Sequence, residues 1–445
     1  MATLTDRNGN AVTAGDASTV DRYEAALDSL LTYRSSIEEL WEATVADEPD
    51  FAMGHVGRAY LRCTSSEGPY AADARDNVLG NIGDPSRLTD REQRHVAAAT
   101  RYASGDLAGA SEELALLTVD HPRDVLALLV GHQLDFFTGD AMNLRDRVGR
   151  AIGAWSADEP RSGYVRGMLS FGLEECGLYP QAEEAGLDAI DRDPRDVWGH
   201  HAVVHTYEML GRVEDGLAFV EKRRREWSDD DNLFIVHNTW HEGLYHLDLG
   251  NLDRVLELYD STIHTKESGP VALDYVDSSA MLWRLHLDGI DVGDRWDAIA
   301  DAWAAMDTEP WYAFNDTHAV MAYVGAGRLD DARETADRLA AYAVSPDPDV
   351  TNVMMTADVG LPVCSALVAF GEGRYADVVE LLFPIRKVVQ RFGGSNAQRD
   401  VVARTLLEAA IRGDNHALAE ALLSERLTVR PSSGYAQRQL ERLSS

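Results

Sequence analysis

Nine glycines recur along the chain at intervals of 34 to 46 residues, and each ends a segment whose apolar residues follow helical spacing. They are Gly105, Gly139, Gly177, Gly211, Gly250, Gly289, Gly327, Gly373 and Gly413. Glycine at such a place favours the left-handed backbone conformation that ends many α-helices. A second helical segment follows each glycine, and hairpins of this size bury their apolar faces only by stacking on their neighbours. The sequence therefore predicts an all-α protein of stacked helical hairpins.

Small and helix-breaking residues accompany the glycines. Ala182 and Pro194 follow Gly177, and the interval after Gly105 is built in the same way. This pattern resembles the tetratricopeptide repeat, in which glycine closes the first helix, a small alanine lets the second helix pack closely, and proline follows. The resemblance implies a tetratricopeptide-like α-α superhelix, a solenoid of about one superhelical turn.

No linker of distinct composition divides the chain. Residues 1–18 are polar and we expect a flexible tail there, while residues 19–445 form a single helical-repeat domain. The longest glycine interval contains an insertion rich in proline and aspartate, residues 343–362. We expect a long loop at this insertion, which is where repeat proteins carry functional segments. No strand alternation is long enough to predict a sheet.

The formal net charge of −34 excludes several partners. Nucleic-acid binders need a cationic surface, so we expect no nucleic acid and no anionic membrane surface. The first residues are polar, and no uninterrupted apolar run approaches the roughly 20 residues of a membrane helix, which indicates a cytoplasmic protein. The three cysteines lie far apart and predict neither disulfides nor a metal site.

Ordered motifs along the chain resemble one family more closely. They are "YVRGMLSFGLEECGLYPQAE", "HHAVVHTYEMLGR", "VHNTWHEGLYHLDLG", "LWRLHLDGIDVGDRW", "FNDTHAVMAYVGAGR", "GLPVCSALVAFGEGRY" and "RFGGSNAQRDV". Together they resemble the tetratricopeptide repeat protein 38 family from about residue 20 to the C-terminus. The resemblance implies an α-solenoid but no settled activity, so it supplies no catalytic residues.

Histidine and tryptophan concentrate where the first helix of each hairpin would line the concave surface. These positions lie 13, 10, 6 and 3 residues before the closing glycine, and they share one helix face. Counting back along the repeats gives Tyr164, Trp198, His201, His205, Glu208, His237, Trp240 with its neighbour His241, and Trp283. Packing alone would favour alanine and leucine at these positions, so we predict a concave pocket that binds a small molecule. The alternative is a buried polar network that fixes the register of adjacent hairpins.

Acid/base chemistry is the enzymatic reading of this surface. Glu208, one turn after His205, is close enough to hold the imidazole in one tautomer. The further catalytic candidates are His237, His241, Asp316 and His318. No nucleophile motif such as GxSxG is present, so hydrolase, lyase or isomerase chemistry through water or a proton relay is favoured.

Metal binding is a second hypothesis for the same histidines. His201 and His205, like His237 and His241, are spaced i, i+4 and could supply ligands to Zn or Fe. The HExxH arrangement of metalloproteases is absent. We therefore predict no cofactor and keep a metal held by these four histidines as the competing hypothesis.

The segment "RFGGSNAQRD", residues 391–400, predicts a helix start in which Ser395 and Gln398 form a capping box. Arg391 and Arg399 then lie beside a helix N-terminus, which indicates a binding place for a carboxylate or phosphate group.

Two classes of function remain. The concave surface could bind a small molecule, with or without chemistry, or the protein could be a scaffold that binds a peptide or protein partner in its groove. Peptide-binding grooves of this fold use lysine, arginine and asparagine, whereas tryptophan and histidine occur here. The first reading is favoured, and the sequence indicates no oligomeric state.

Overall fold

The computed structural model describes residues 2–229, 231–345 and 347–444. The chain forms two compact units. The first comprises Met1–Thr206, Arg223–Ile235 and Asp349–Thr351, and the second Tyr207–Lys222, Val236–Pro348 and Asn352–Ser445.

Helices α1 to α10 lie in the first unit, together with most of α11 and a short strand pair. The elements are β1 (Ala2–Thr5), β2 (Ala11–Ala14), α1 (Ala17–Leu31), α2 (Ile37–Ala46), α3 (Ala52–Thr64), α4 (Gly68–Asp73), α5 (Asp90–Ala103), α6 (Leu107–Asp120), α7 (Val125–Phe137), α8 (Ala141–Ala151), α9 (Ser162–Glu175), α10 (Tyr179–Arg192) and α11 (Val197–Leu210).

The second unit begins near the end of α11 and contains the remaining helices. They are α12 (Val213–Arg223), α13 (Ile235–Leu249), α14 (Leu252–Leu258), α15 (Ala272–Leu287), α16 (Arg295–Ala304), α17 (Ala313–Gly325), α18 (Leu329–Tyr342), α19 (Thr351–Met355), α20 (Leu361–Gly371), α21 (Tyr375–Ile385), α22 (Asn396–Arg412), α23 (His416–Val429) and α24 (Gly434–Ser444). Short 3-10 or π turns extend or join helices at Ala74–Val78, Leu79–Asn81, Pro85–Arg87, Ile152–Ala154, Arg224–Glu226, Tyr259–Ile263, Thr356–Gly360 and Val389–Phe392.

The all-α fold class predicted from the glycine spacing is confirmed. Within each unit a helix packs on the next helix and also on a later one of the series, as α7 does on α8 and α9, and α15 on α16 and α17. This is the contact pattern of stacked hairpins. The alanines expected at close approaches, Ala110 and Ala182, are fully buried. The superhelical turn stays a prediction.

The repeating glycines have the backbone conformation that the spacing predicted. Eight of the nine, from Gly105 to Gly373, adopt positive φ at the ends of their helices. Gly413 does not, since its φ is −89°, and the next residue, Asp414, takes the left-handed conformation with φ 56°. Aspartate tolerates this region better than most side chains, so the last hairpin turns one residue later.

Replacing Gly177 with alanine should lower the free energy of unfolding by about 1 kcal/mol, because a Cβ makes the left-handed conformation unfavourable. Its φ is 73° and no atom lies within 4 Å of the added Cβ, so the cost is conformational. Gly149 is the matched control: it lies inside α8 with equally open space, and Gly149→Ala should stabilise the helix by up to about 1 kcal/mol. Denaturant unfolding of both variants checks this, and two shifts of the same sign would contradict it.

The N-terminal segment differs from the expected flexible tail. Strands β1 and β2 form an antiparallel hairpin in which Ala2 pairs with Ala14 and Thr5 with Ala11. Helix α5 anchors it: Thr13 donates from its backbone nitrogen and its hydroxyl to Glu92, at 2.7 Å each. These bonds span 79 residues of sequence, and four-residue strands carry too little alternation to be recognised.

The insertion at residues 343–362 is not the long loop that composition suggested. From Thr351 onward the chain is helical and continues through Gly371. Among the described residues, this stretch is the one helix long and apolar enough to cross a membrane. Most of its apolar window is buried within the protein, as expected for a core helix.

Candidate functional site

Two histidines and two carboxylates meet inside the second unit. His237 and His241 lie one turn apart on α13, so the helix places both imidazoles on the same face. Glu208, near the end of α11, and Asp277, on α15, approach this face from the two neighbouring helices.

The four side chains form a continuous line of hydrogen bonds. Nδ1 of His237 lies 2.7 Å from Oδ2 of Asp277, and Nδ1 of His241 lies 3.0 Å from Oε2 of Glu208. The two Nε2 atoms are 3.3 Å apart. Because an ionised carboxylate only accepts hydrogen bonds, each Nδ1 carries the donated hydrogen and each Nε2 presents a lone pair.

Two lone pairs that face each other at this distance repel unless a positive charge lies between them. One proton shared by the two Nε2 atoms satisfies both nitrogens, and the carboxylates at the Nδ1 positions stabilise the resulting imidazolium. His241 is fully buried, whereas 16% of the His237 side chain is exposed. Solvent therefore reaches the pair from the side of His237.

Asp274 and Gln398 complete the surroundings of Asp277. Burial raises the pKa of Asp274 to about 7; the charge of Asp277 adds to the rise and His237 opposes it. Nε2 of Gln398 lies 3.5 Å from Oδ1 of Asp277, so the oxygen that does not bind His237 has a donor of its own. A carboxyl that titrates near neutrality beside a histidine pair is typical of acid/base sites.

One wall beside the histidine pair is aromatic and cationic. The indole of Trp240 stacks on His237 with ring centroids 5.6 Å apart, and the buried guanidinium of Arg284 lies 5.1 Å from the Trp240 ring. Burial lowers the pKa of Arg284 to about 10. Glu208 and Arg284 also line a cavity of about 10 Å³, which is room for about one water molecule.

Asp316 and His318 do not form a pair, although they are two residues apart on α17. His318 donates from Nδ1 to the carbonyl of Phe314 at 2.7 Å. Burial lowers its pKa to about 4, and the charges of Arg284 and Asp277 act on it. Burial raises the pKa of Asp316 to about 7, opposed by Arg338. His318 therefore belongs to the surroundings of Asp277, and Asp316 to the packing of α17 on α18.

Three other candidates of the second unit have structural partners. Trp283 is buried and donates from Nε1 to the Thr405 hydroxyl at 2.9 Å. Arg391 pairs with Asp358 at 2.7 Å, and Arg399 donates to the carbonyl of Gly394 and to Asn396. The predicted capping box of Ser395 and Gln398 at the start of α22 is confirmed. Arg399 thus stabilises the turn before α22, Arg391 pairs with the segment Thr356–Gly360, and the link to the histidine pair runs through Gln398.

The aromatic candidates of the first unit build a packed cluster. Trp198 donates from Nε1 to Nε2 of His132 at 3.1 Å and stacks on Tyr33 with centroids 6.1 Å apart. His132 donates from Nδ1 to the carbonyl of Leu144, and burial lowers its pKa to about 3. Both ring nitrogens of this histidine have partners, so His132 is a neutral structural residue. Tyr164 donates its hydroxyl to Asp193 at 2.6 Å.

His201 and His205 also lie in the first unit, on α11. Their ring centroids are 4.4 Å apart, and Phe171 packs on both rings. Nδ1 of His205 is 3.5 Å from Oε2 of the buried Glu174. Glu174, Glu175 and His205 each offer a ligand atom, and these atoms lie within 4.8 Å of one another. The metal hypothesis from the sequence used His201 and His205 of the first unit and His237 and His241 of the second. It stays a prediction.

Sequence reasoning missed Asp277 and Asp274, which lie three residues apart near the start of α15. They are 12 and 15 residues before the closing Gly289, outside the four positions counted for the concave surface. Their signal in the sequence is two acidic residues in "ALDYVDSSAMLW", on a helix that is otherwise mostly apolar.

No protein-family model matches this chain. The resemblance to the tetratricopeptide repeat protein 38 family therefore stays a prediction from the motifs.

Proposed function

We propose that this protein binds a small molecule beside His237 and His241 and performs proton-transfer chemistry on it, of hydrolase, lyase or isomerase type. The observation that carries the proposal is the line Glu208–His241–His237–Asp277, in which each imidazole is held at Nδ1 and the two Nε2 atoms lie 3.3 Å apart. Such a line fixes both tautomers and leaves one exchangeable proton between the rings.

A purely structural role explains this arrangement less well. Two carboxylates and two imidazoles are costly to desolvate, and apolar residues of similar volume would give equal or greater stability. One inner member of the line, His237, is also partly exposed to solvent. A residue that only fixed helix register would not need access from outside.

The chemistry assigns a role to each residue. The shared proton makes His237 the general acid toward a bound ligand, and after its transfer the free Nε2 accepts a proton as general base. His241 and the two carboxylates hold the orientation and stabilise the charge. The fully buried Trp240 holds the ring of His237 by stacking on it, and Asp274, with its raised pKa, is a second proton donor near neutral pH.

The experiment compares the wild type with His237→Gln on a panel of esters, amides, phosphoesters and hydroxy acids, with conversion followed by mass spectrometry. We expect the variant to lose about 10²-fold or more in turnover, the range of a positioned acid/base group. The control is His246→Gln, on the same helix, whose side chain is equally exposed and pairs with Glu242.

Equal losses in the two variants would contradict a specific role for His237. A wild type that converts no compound of the panel, and whose melting temperature no compound raises, would overturn the proposal in favour of the peptide-binding scaffold. The tetratricopeptide-like superhelix and the cytoplasmic location predicted from the sequence are parts of the same proposal.

A further inference from the structure

The two Nε2 atoms of His237 and His241 have the separation of neighbouring ligands in a tetrahedral metal site. Zinc–nitrogen bonds are about 2.0–2.1 Å long. Two nitrogens 3.3 Å apart that both bind one such ion subtend an angle of about 107° at the metal. Tetrahedral coordination requires nearly this angle, so the imidazoles need no rearrangement to become ligands.

The carboxylates match the outer part of such a site. Histidines that bind a metal usually donate their other ring N–H to a carboxylate, which fixes the ring and raises its basicity. Here both histidines do so, His237 to Asp277 and His241 to Glu208. A histidine with a structural role alone needs at most one carboxylate partner. Two histidines that each donate to a carboxylate, and whose Nε2 atoms face each other, form a set of metal ligands.

Charge favours a cation at the same point. Asp277 and Glu208 bring two negative charges to the neutral imidazoles, and little of either side chain is exposed to solvent. The ligand type narrows the choice of ion, because imidazole nitrogen selects divalent transition metals such as zinc over magnesium or calcium.

We infer that Nε2 of His237 and Nε2 of His241 bind one divalent transition-metal ion of the zinc class, with Asp277 and Glu208 as positioning residues. The ion takes the place of the shared proton, so each binding event releases about one proton at a pH where the pair is protonated. The remaining positions of the tetrahedron are left for water and other donors. This inference rests on the proposed function and names another reagent for it: with an ion bound, both Nε2 atoms are ligands, and a metal-bound water would take over the proton transfer assigned to His237.

The test uses the full chain without a histidine tag, stripped by EDTA and titrated with ZnCl₂ in a calorimeter. We expect one equivalent to bind, and the measured heat to differ between buffers of different ionisation enthalpy because a proton is released. Replacement by Co²⁺ should give the intense visible absorption of four-coordinate cobalt. Binding well below one equivalent, or a pale six-coordinate cobalt spectrum, would overturn the inference.

Substitutions at the histidine pair and its carboxylates test whether the ion binds there. His237→Gln should abolish one-equivalent binding, and Asp277→Asn should weaken it about 10–100-fold, the range for an outer-shell carboxylate. His246→Gln should bind as the wild type does. Wild-type affinity in both His237→Gln and His241→Gln would overturn the inference, and Asp277→Asn, which keeps both ligands, decides the assignment where a histidine variant fails to fold.

Different results would contradict the metal site and the proposed function. Full turnover in a chelated protein that binds no zinc in the titration would overturn the metal at this pair and leave proton transfer by the histidines intact. One equivalent of zinc on His237 and His241 in a protein that converts and binds no small molecule would support the metal and overturn the proposed chemistry.

Discussion

Asp274→Asn should make the metal-free protein more stable above neutral pH, by about 2–4 kcal/mol. Burial raises the pKa of Asp274 from 3.8 to about 7, and each pKa unit corresponds to about 1.4 kcal/mol. Between these two values the folded protein holds a proton that the unfolded chain has released. The free energy of unfolding therefore falls as the pH rises through this window, and above about pH 7 the penalty is complete.

Asparagine removes the titration and keeps the shape of the side chain. Urea denaturation with EDTA, in steps from pH 4 to pH 9, should give a flatter curve for Asp274→Asn than for the wild type, with the largest difference at the alkaline end. The control is Asp253→Asn on α14, where the acid is exposed and the expected change lies within about 0.5 kcal/mol. Parallel pH curves for the wild type and Asp274→Asn would contradict the prediction.

A residue that destabilises the fold at working pH is informative about function. Most positions of a natural protein tolerate a stabilising substitution. A buried ionisable group that destabilises the fold is therefore expected where activity requires it. The charges of His237 and Asp277 both act on the pKa of Asp274, His237 lowering it and Asp277 raising it. Greater stability of Asp274→Asn together with lower turnover would place Asp274 in the proton-transfer site.

The sequence predicted the hairpins well because their signal is local. Each closing glycine needs the left-handed conformation, and that need depends only on the neighbouring turn. The pairing of His237 with His241 is local for the same reason, since one helix turn separates them. Both features follow from periodicity without knowledge of the fold.

The partners of these histidines could not be predicted from the sequence, because they lie on other helices. Asp277 is 40 residues from His237, and Glu208 is 33 residues from His241. Helical spacing suggested that Glu208 serves His205 on its own helix. In the folded protein Glu208 binds His241, and Glu174 lies beside His205. Contacts between helices depend on how the hairpins stack, which apolar periodicity does not specify.

The N-terminal hairpin was missed for a related physical reason. Its strands are four residues long, and a two-stranded hairpin alone is marginal in water. It is held in place by side chains of α5: besides the bonds to Glu92, the guanidinium of Arg91 donates to the carbonyl of Ala11 at 3.2 and 3.3 Å. A polar, charged first segment gives no indication of such distant partners.

The same arginine takes part in the buried network with the largest expected effect on stability. Asp124 accepts from Nη1 of Arg91 at 2.6 Å, from Nε2 of His95 at 2.9 Å and from the backbone nitrogen of Ala127 at 2.9 Å. All three side chains are at least 98% buried. Tyr60 extends the line, because its hydroxyl lies 3.1 Å from Nδ1 of His95.

Asp124→Asn should lower the free energy of unfolding by about 3–5 kcal/mol, because the buried Arg91 guanidinium loses the carboxylate to which it is hydrogen-bonded. The asparagine can still cap α7 through Ala127, so the loss reports the charge. The matched control is Asp120→Asn: Asp120 pairs with Arg94 at 2.8 Å but is 56% exposed, and an exposed ion pair contributes less than about 1 kcal/mol. Similar losses in the two variants would contradict the assignment.

The pH dependence of stability and a second, compensating substitution distinguish the effect of charge from that of packing in this network. Burial tends to raise the pKa of Asp124, but the charges of His95 and Arg91 outweigh it and hold the pKa below its usual range. The stabilising contribution is therefore complete above the ordinary pKa of 3.8 and is lost only as the pH falls well below it. The titration of Asp124 itself should accordingly add no pH dependence to the deficit of Asp124→Asn between pH 5 and pH 8. Combining Asp124→Asn with Arg91→Gln removes both charges and keeps the cap of α7 and an amide donor at position 91. This double variant should recover part of the lost stability, whereas one as unstable as Asp124→Asn alone would contradict the assignment of the loss to charge.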